Sequence, residues 1–160
     1  MQTKERIGDL NSAMTIYEAD RSEKIPDGWS RVGSGCYRNV YRCPKGTVYK
    51  VCKSGYNSSE DNAEEYIAYQ NIVDNNLTKE GWCVAPVDSY SFIHGSTHVT
   101  VNTMEFVEGE HEQMTGSYED HYADYVEIDA AFKAFGLIDG HVGNYIVTGK
   151  GEKVIIDLAS

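Results

Sequence analysis

The sequence predicts an α+β fold: a five-stranded antiparallel sheet with one inserted helix, then a second helix and a short hairpin. Three observations predict it. Val- and Tyr-rich segments separated by Gly, Pro and Asn turns crowd residues 29–53 and 84–107. Two stretches after Ser59 and Ser117 carry helical spacing instead, and the last apolar run is split by Gly149-Lys150-Gly151. With 160 residues, 41% of them apolar and only 3 Pro, the chain suits one domain with a usable core.

Residues 1–28 mix charge with a weak apolar pattern up to the turn Ile25-Pro26-Asp27-Gly28, and read as an N-terminal helix or arm with little chemistry. WSRVG (29–33), YRNVYRC (37–43) and TVYKVCK (47–53) follow as three strands, separated by Gly33-Ser34-Gly35 and by Pro44-Lys45-Gly46. Ser58 and Ser59 stand at N-cap positions before a helix whose stripe is read as Ala63, Tyr66, Ile67, Gln70 and Val73, ending near Asn75-Asn76. Segments 84–93 and 98–107 form a second hairpin about His94-Gly95-Ser96-Thr97. Ser117, with Asp120 three residues on, opens the second helix. Its stripe, Tyr118, Tyr122, Tyr125, Ile128, Phe132 and Phe135, is read as core packing, and Gly136 closes it. The strands YIVT and KVIID flank the final tight turn.

Charge is distributed unevenly. The chain carries −11 overall, which argues against general nucleic-acid binding and against docking on anionic membranes. Yet Arg31, Arg38, Arg42, Lys45, Lys50 and Lys53 form a block with no acid among them, whereas residues 54–160 hold 4 basic and 19 acidic residues. The basic block, with its glycines, is built for a small polyanion. No run approaches the ~18 apolar residues of a membrane span, and the start lacks a secretory signal's apolar stretch, so the expected location is the cytoplasm. Cys36, Cys43, Cys52 and Cys83 make no CxxC pair and read as reduced, mostly buried thiols.

The chemistry concentrates in three places. Glycines in Gly33-Ser34-Gly35 let backbone N–H groups approach phosphate oxygens, although two glycines at a hairpin tip are also a common turn. Lys50 lies mid-strand among apolar residues and, if it points inward, needs a carboxylate such as Glu65 or Glu64 on the next helix. Asp139, Asn144 and Asp157 bracket a loop and a hairpin: two carboxylates and a carboxamide suit Mg²⁺, with one carboxylate left to accept a hydroxyl proton.

In this order the residues resemble the protein kinases, most closely the small serine/threonine kinases encoded by bacteriophages, from about Trp29 to Ser160. The resemblance implies a protein-kinase-like fold with an N-terminal arm at 1–28, an N-lobe at 29–107 and a hinge with reduced C-lobe at 108–160. It implies that Gly33, Ser34, Gly35, Arg38 and Val40 belong to the glycine-rich loop over the phosphates of ATP, with Lys50 holding those phosphates and Glu65 its helix partner. Thr103-Met104-Glu105-Phe106-Val107-Glu108-Gly109 would be the gatekeeper and hinge, with Met104 at the nucleotide and backbone groups of Glu105 and Val107 meeting adenine. Asp139 would be the proton acceptor, and Asn144 and Asp157 the Mg²⁺ ligands.

Departures accompany the likeness. Arg38 replaces the loop's third glycine and adds a cation within reach of phosphate; Leu137-Ile138 replace His-Arg before Asp139; Ala159 replaces the DFG glycine. The sequence stops where the family's activation segment and larger lobe would begin. Two functions follow from the resemblance: an ATP- and Mg²⁺-dependent kinase acting on protein Ser or Thr hydroxyls, or a weak or inactive kinase-like module that holds a basic host protein through its acidic face, as a nucleic-acid mimic would. Either would act in the host cytoplasm if phage-encoded.

Overall fold

In the computed structural model the described residues are 5–35, 37–54, 59–114, 116–117, 119–138 and 140–158. They fall into two compact units: Met1–Tyr66 with Pro86–Phe106, and Ile67–Ala85 with Val107–Ser160. This differs from the expected division at 28 and 107. The N-terminal helix belongs to the first unit, and residues 67–85 belong to the second.

In the first unit, α1 (Leu10–Ser22) precedes strands β1 (Ser30–Ser34), β2 (Arg38–Arg42) and β3 (Thr47–Cys52), and α2 (Glu60–Asp74) begins there. The predicted five-stranded antiparallel sheet is present: β5 (Asp88–His94) and β6 (Thr97–Glu105) complete it, in the order β1-β2-β3-β6-β5. Each interior pair is antiparallel, so residues opposite one another share a face. Tyr49 sits between Tyr41 and Thr103 on one face, and Lys50 between Val40 and Asn102 on the other.

The first of these faces belongs to α1. Ala13, Ile16 and Tyr17 recur at i, i+3 and i+4 and pack with Tyr41, Tyr49, Val51, Tyr90, Val99 and Val101 in one buried cluster. Asp9 caps the helix by accepting from the Ser12 amide at 2.7 Å. At its other end Asp20 accepts from the Tyr41 hydroxyl and from Asn39 Nδ2. Of the helix or arm that the sequence suggested, the described residues 5–28 form a helix, which supplies a structural layer.

The second unit holds a three-stranded sheet: the expected final hairpin, joined by a strand that sequence patterning did not anticipate. β4 (Trp82–Val84) lies parallel to β8 (Lys153–Ile155), which pairs antiparallel with β7 (Tyr145–Val147). Trp82, Phe132 and Tyr145 meet edge-on, with ring centroids 4.8 Å apart for Trp82 and Tyr145. Ile128, Ala131 and Phe135 complete this core around α3 (Tyr122–Ala134). Ser117 and Asp120 form the expected reciprocal cap, but the turn they start is 3₁₀ (Glu119–His121) before the α-helix begins. Gly136, at φ +76°, ends the helix as expected. Gly109 is required for a different reason: a Cβ there would stand 2.3 Å from the Val147 carbonyl oxygen, where the segment leaving β6 bridges to β7.

Two helical stripes differ from expectation. Tyr122 is 57% exposed, so only the second half of the aromatic stripe on α3 is core, and Tyr118 lies outside the described residues. On α2, Ala63, Ile67, Gln70 and Val73 are all exposed, whereas Asn62, Glu65 and Ile72 are buried. Among the described residues no helix is long and apolar enough to cross a membrane. Cys43, Cys52 and Cys83 are free thiols, and burial, then a hydrogen bond to Glu152, pushes Cys83 up to about 11.

Candidate functional site

The polar face of α2 explains why its apolar periodicity misled. Lys50 projects from β3 on the side opposite α1, and its Nζ stands 2.9 Å from Glu65 Oε2. The ion pair forms with Glu65, which is 0% exposed, and Glu64 faces solvent. Arg38, from β2, meets the same carboxylate as a fork: NH1 to Oε1 at 2.9 Å and NH2 to Oε2 at 3.1 Å. Asn102, opposite Lys50 on β6, donates Nδ2 to Oε1 at 3.1 Å. Glu65 thus accepts from three side chains, which fill the roughly four lone-pair sites of a carboxylate.

Asn62 lies one turn earlier on the same helix face. Its Nδ2 donates to the backbone carbonyls of Lys50 at 2.9 Å and Thr100 at 2.8 Å, while its Oδ1 accepts from Arg38. Ser59 adds a further tie, its Oγ accepting from the Thr100 amide at 2.7 Å; Ser58 lies outside the described residues. Burial alone would push the Glu65 carboxyl up. The Arg38 guanidinium and then the Lys50 ammonium outweigh that effect and hold it well below the usual carboxylate range.

This arrangement predicts how the protein meets acid. Glu65 is ionised more readily in the folded chain than in the unfolded one, so its contribution is complete above about pH 5 and is lost as pH falls through the ordinary carboxylate value of about 4.3 and below. Between about pH 5 and about pH 3 the urea midpoint of the wild type should fall more steeply than that of Glu65→Gln. Parallel declines would contradict the assignment.

The remaining first-unit candidates lie nearby in the sheet. Gly33 pairs with Val40 across the β1–β2 turn after a bulge, and Val40 pairs with Lys50. Gly35 has open space where a Cβ would stand, and neither Gly33 nor Gly35 has positive φ, so the protein's own packing does not demand glycine at either position. Ser34 Oγ is tied to Arg31 and Asn39. Met104 is buried on β6 opposite Val48, and Glu105 ends that strand exposed. Arg38 is the departure from expectation: it sits in β2, 6% exposed, with its guanidinium turned to Glu65 and Asn62.

In the second unit, Asn144 closes a 3₁₀ turn (Val142–Asn144) whose first amide-capping group is His141 Nδ1. The Asn144 carbonyl accepts from the Ile156 amide at 2.9 Å, so the hairpin brings Asn144 level with the residue before Asp157. Asn144 is 6% exposed, Asp157 is half-buried and Val107 is half-buried. Asp139, Cys36 and Ala159 lie outside the described residues. Among the described residues no three His, Cys, Asp or Glu side chains gather as a metal cluster.

Compared with known proteins, the chain matches no family model and no curated protein. Among the solved structures similar to it, two illustrate the range of coverage. One is the MAP kinase LmaMPK10 from Leishmania major, at 16% identity and a TM-score of 0.41, covering 93% of this chain and 51% of that one. The other is the streptomycin-ATP-APH(2")-IIa ternary complex, at 16% identity and a TM-score of 0.38, covering 79% of this chain and 40% of that one. The chain spans about half the length of the first and two fifths of the second.

Asn62 and Asn102 were not among the sequence candidates. Asn62 carried a signal, being i−3 to Glu65; Asn102 falls on the polar phase of the β6 alternation, with His98 and Thr100, and carried none.

Proposed function

We propose that the chain is an ATP- and Mg²⁺-dependent phosphotransferase of protein-kinase type that moves the γ-phosphoryl group to a Ser or Thr hydroxyl of a protein. The observation that carries this reading is the Lys50–Glu65 ion pair, buried between a central strand and the next helix. A strand lysine that is mere surface has no need of such a partner. Two glycines that packing does not demand, in the turn between the strands leading to Lys50, add support.

In this reading Glu65 orients Lys50, whose ammonium holds phosphate oxygens of ATP. The backbone of Gly33 and Ser34 approaches the same phosphates, beside Val40, while the Gly35 amide donates to the Arg38 carbonyl at 2.9 Å and shapes the turn. Met104 borders the adenine, and backbone groups of Glu105 and Val107 bind it. Asp139 accepts the proton of the attacking hydroxyl as the new O–P bond forms and the bond to the ADP oxygen breaks. The carboxamide of Asn144 and the carboxylate of Asp157 are hard oxygen donors and fit Mg²⁺, which when bound supplies charge neutralisation. The excess of acid after residue 105 suits a basic protein substrate.

Thermal unfolding with ATP, with and without Mg²⁺, and labelled-phosphate transfer to a basic protein test the reading. Wild type should show a metal-dependent rise in melting temperature and transfer label. Asp139→Asn should keep the rise and lose transfer, and Asp157→Ala should lose the metal dependence. No shift at ligand far above any plausible Kd, together with no label, would leave a kinase-like binding module as the better account.

A further inference from the structure

Arg38 is the member of the buried cluster with no evident reason to be there. Lys50 alone could face Glu65. Instead a long cationic side chain runs from β2 into the interior, 6% exposed. Its position has three consequences. The fork fixes the plane of the Glu65 carboxylate, which a single ammonium on a flexible stem does not do. The same NH1 reaches Asn62, whose carboxamide is bonded to the main chain of both β3 and β6. The first two turns of α2 are thereby tied to three neighbouring strands: to β2 by Arg38, to β3 by Lys50, and to β6 by Thr100 and Asn102.

Helices that carry a functional carboxylate on one ion pair can pivot away from it, because a single exposed or half-buried pair contributes little. Here any pivot must break a bidentate pair, a second ion pair and four amide hydrogen bonds in a nearly water-free setting.

We infer that Arg38 is a positioning residue, a clamp that keeps the Glu65 carboxylate on Lys50 without any activating modification, partner or bound nucleotide. The catalytic meaning of the clamp rests on the proposed phosphotransferase reading; the clamp itself is a property of the first unit.

The test uses the full chain as wild type, Arg38→Lys and Arg38→Met. Arg38→Lys keeps the charge and loses the fork, so it serves even if Arg38→Met does not fold. Backbone hydrogen exchange is followed without nucleotide at residues 60–66, with 88–105 as the reference. Exchange at 60–66 should rise by about tenfold in Arg38→Lys relative to the reference segment, and further in Arg38→Met. Unchanged exchange at 60–66 in a folded variant overturns the clamp. In transfer assays well below the melting temperature, KM for ATP should rise by about fivefold or more in Arg38→Lys, because Lys50 is no longer held. A loss confined to kcat reports only a smaller folded fraction and also overturns the positioning role. If wild type neither binds ATP nor transfers phosphate, the proposed function fails and the exchange measurement still decides the clamp.

Discussion

Glu65→Ala is expected to unfold the first unit or bring it close to unfolding. The substitution leaves two cations, Arg38 and Lys50, with side chains 7% and 5% exposed, around a cavity where their carboxylate had been. Breaking a buried pair by removing one partner costs about 3–5 kcal/mol, because the desolvated charge left behind has lost what offset its burial. Here one removal affects two charges and the Asn102 amide together. Against a total stability of about 5–15 kcal/mol, that is a large share. Urea unfolding followed by circular dichroism measures it. Glu64→Ala, one residue away and exposed, is the control and should stay within about 0.5 kcal/mol of wild type. Similar midpoints for the two variants would show that the cluster contributes little.

Lys50→Met should separate folding from chemistry. Methionine keeps a stem of similar length and removes the charge, while Glu65 retains the Arg38 fork and the Asn102 amide. The carboxylate stays partnered, so the fold should survive with a loss of about 1–2 kcal/mol. Phosphoryl transfer should nevertheless fall by about 10²–10³, the usual effect of deleting one preorganised donor to developing charge. Melting curves and initial rates at saturating ATP check the two halves separately. A folded Lys50→Met protein with an undiminished rate would remove Lys50 from the proposed site. An unfolded one would show that Arg38 cannot hold Glu65 alone.

The contrast between these variants traces what could be read from the sequence. Strands β1 to β3 were legible because Gly33-Ser34-Gly35 and Pro44-Lys45-Gly46 interrupt runs of β-branched and aromatic residues. The β5–β6 hairpin was legible from its alternation and its His94-Gly95-Ser96-Thr97 turn. Lys50 stood out as a charge in an apolar strand. The buried face of α2 was not legible by hydrophobic periodicity, since its first two turns are paved with Asn62 and Glu65, and apolar Ile67 and Val73 face out. Periodicity registers burial only when what is buried is apolar; here burial is made tolerable by pairing. The direction of Arg38 depended on a helix two elements later, which no local pattern specifies. Likewise β4 pairs in parallel with β8 over three residues each, from partners some seventy positions apart, and so carries no turn signal.

The tyrosines of the α1 face bear on where this fold begins. Tyr41, Tyr49 and Tyr90 each bury a ring in the sheet and direct the hydroxyl at the N-terminal segment: to Asp20, from the Asp9 amide, and to the carbonyls of Ile7 and Gly8. Tyrosine outnumbers phenylalanine 12 to 4 in this chain, and here the surplus hydroxyls act as pins joining one polypeptide layer to another. The motifs read from the sequence start near Trp29, but the first compact unit starts ahead of it. Trimming at that tryptophan would cut through a core: the candidate-site residues would be retained, and the phenols of the sheet beside them would lose every hydroxyl partner named here.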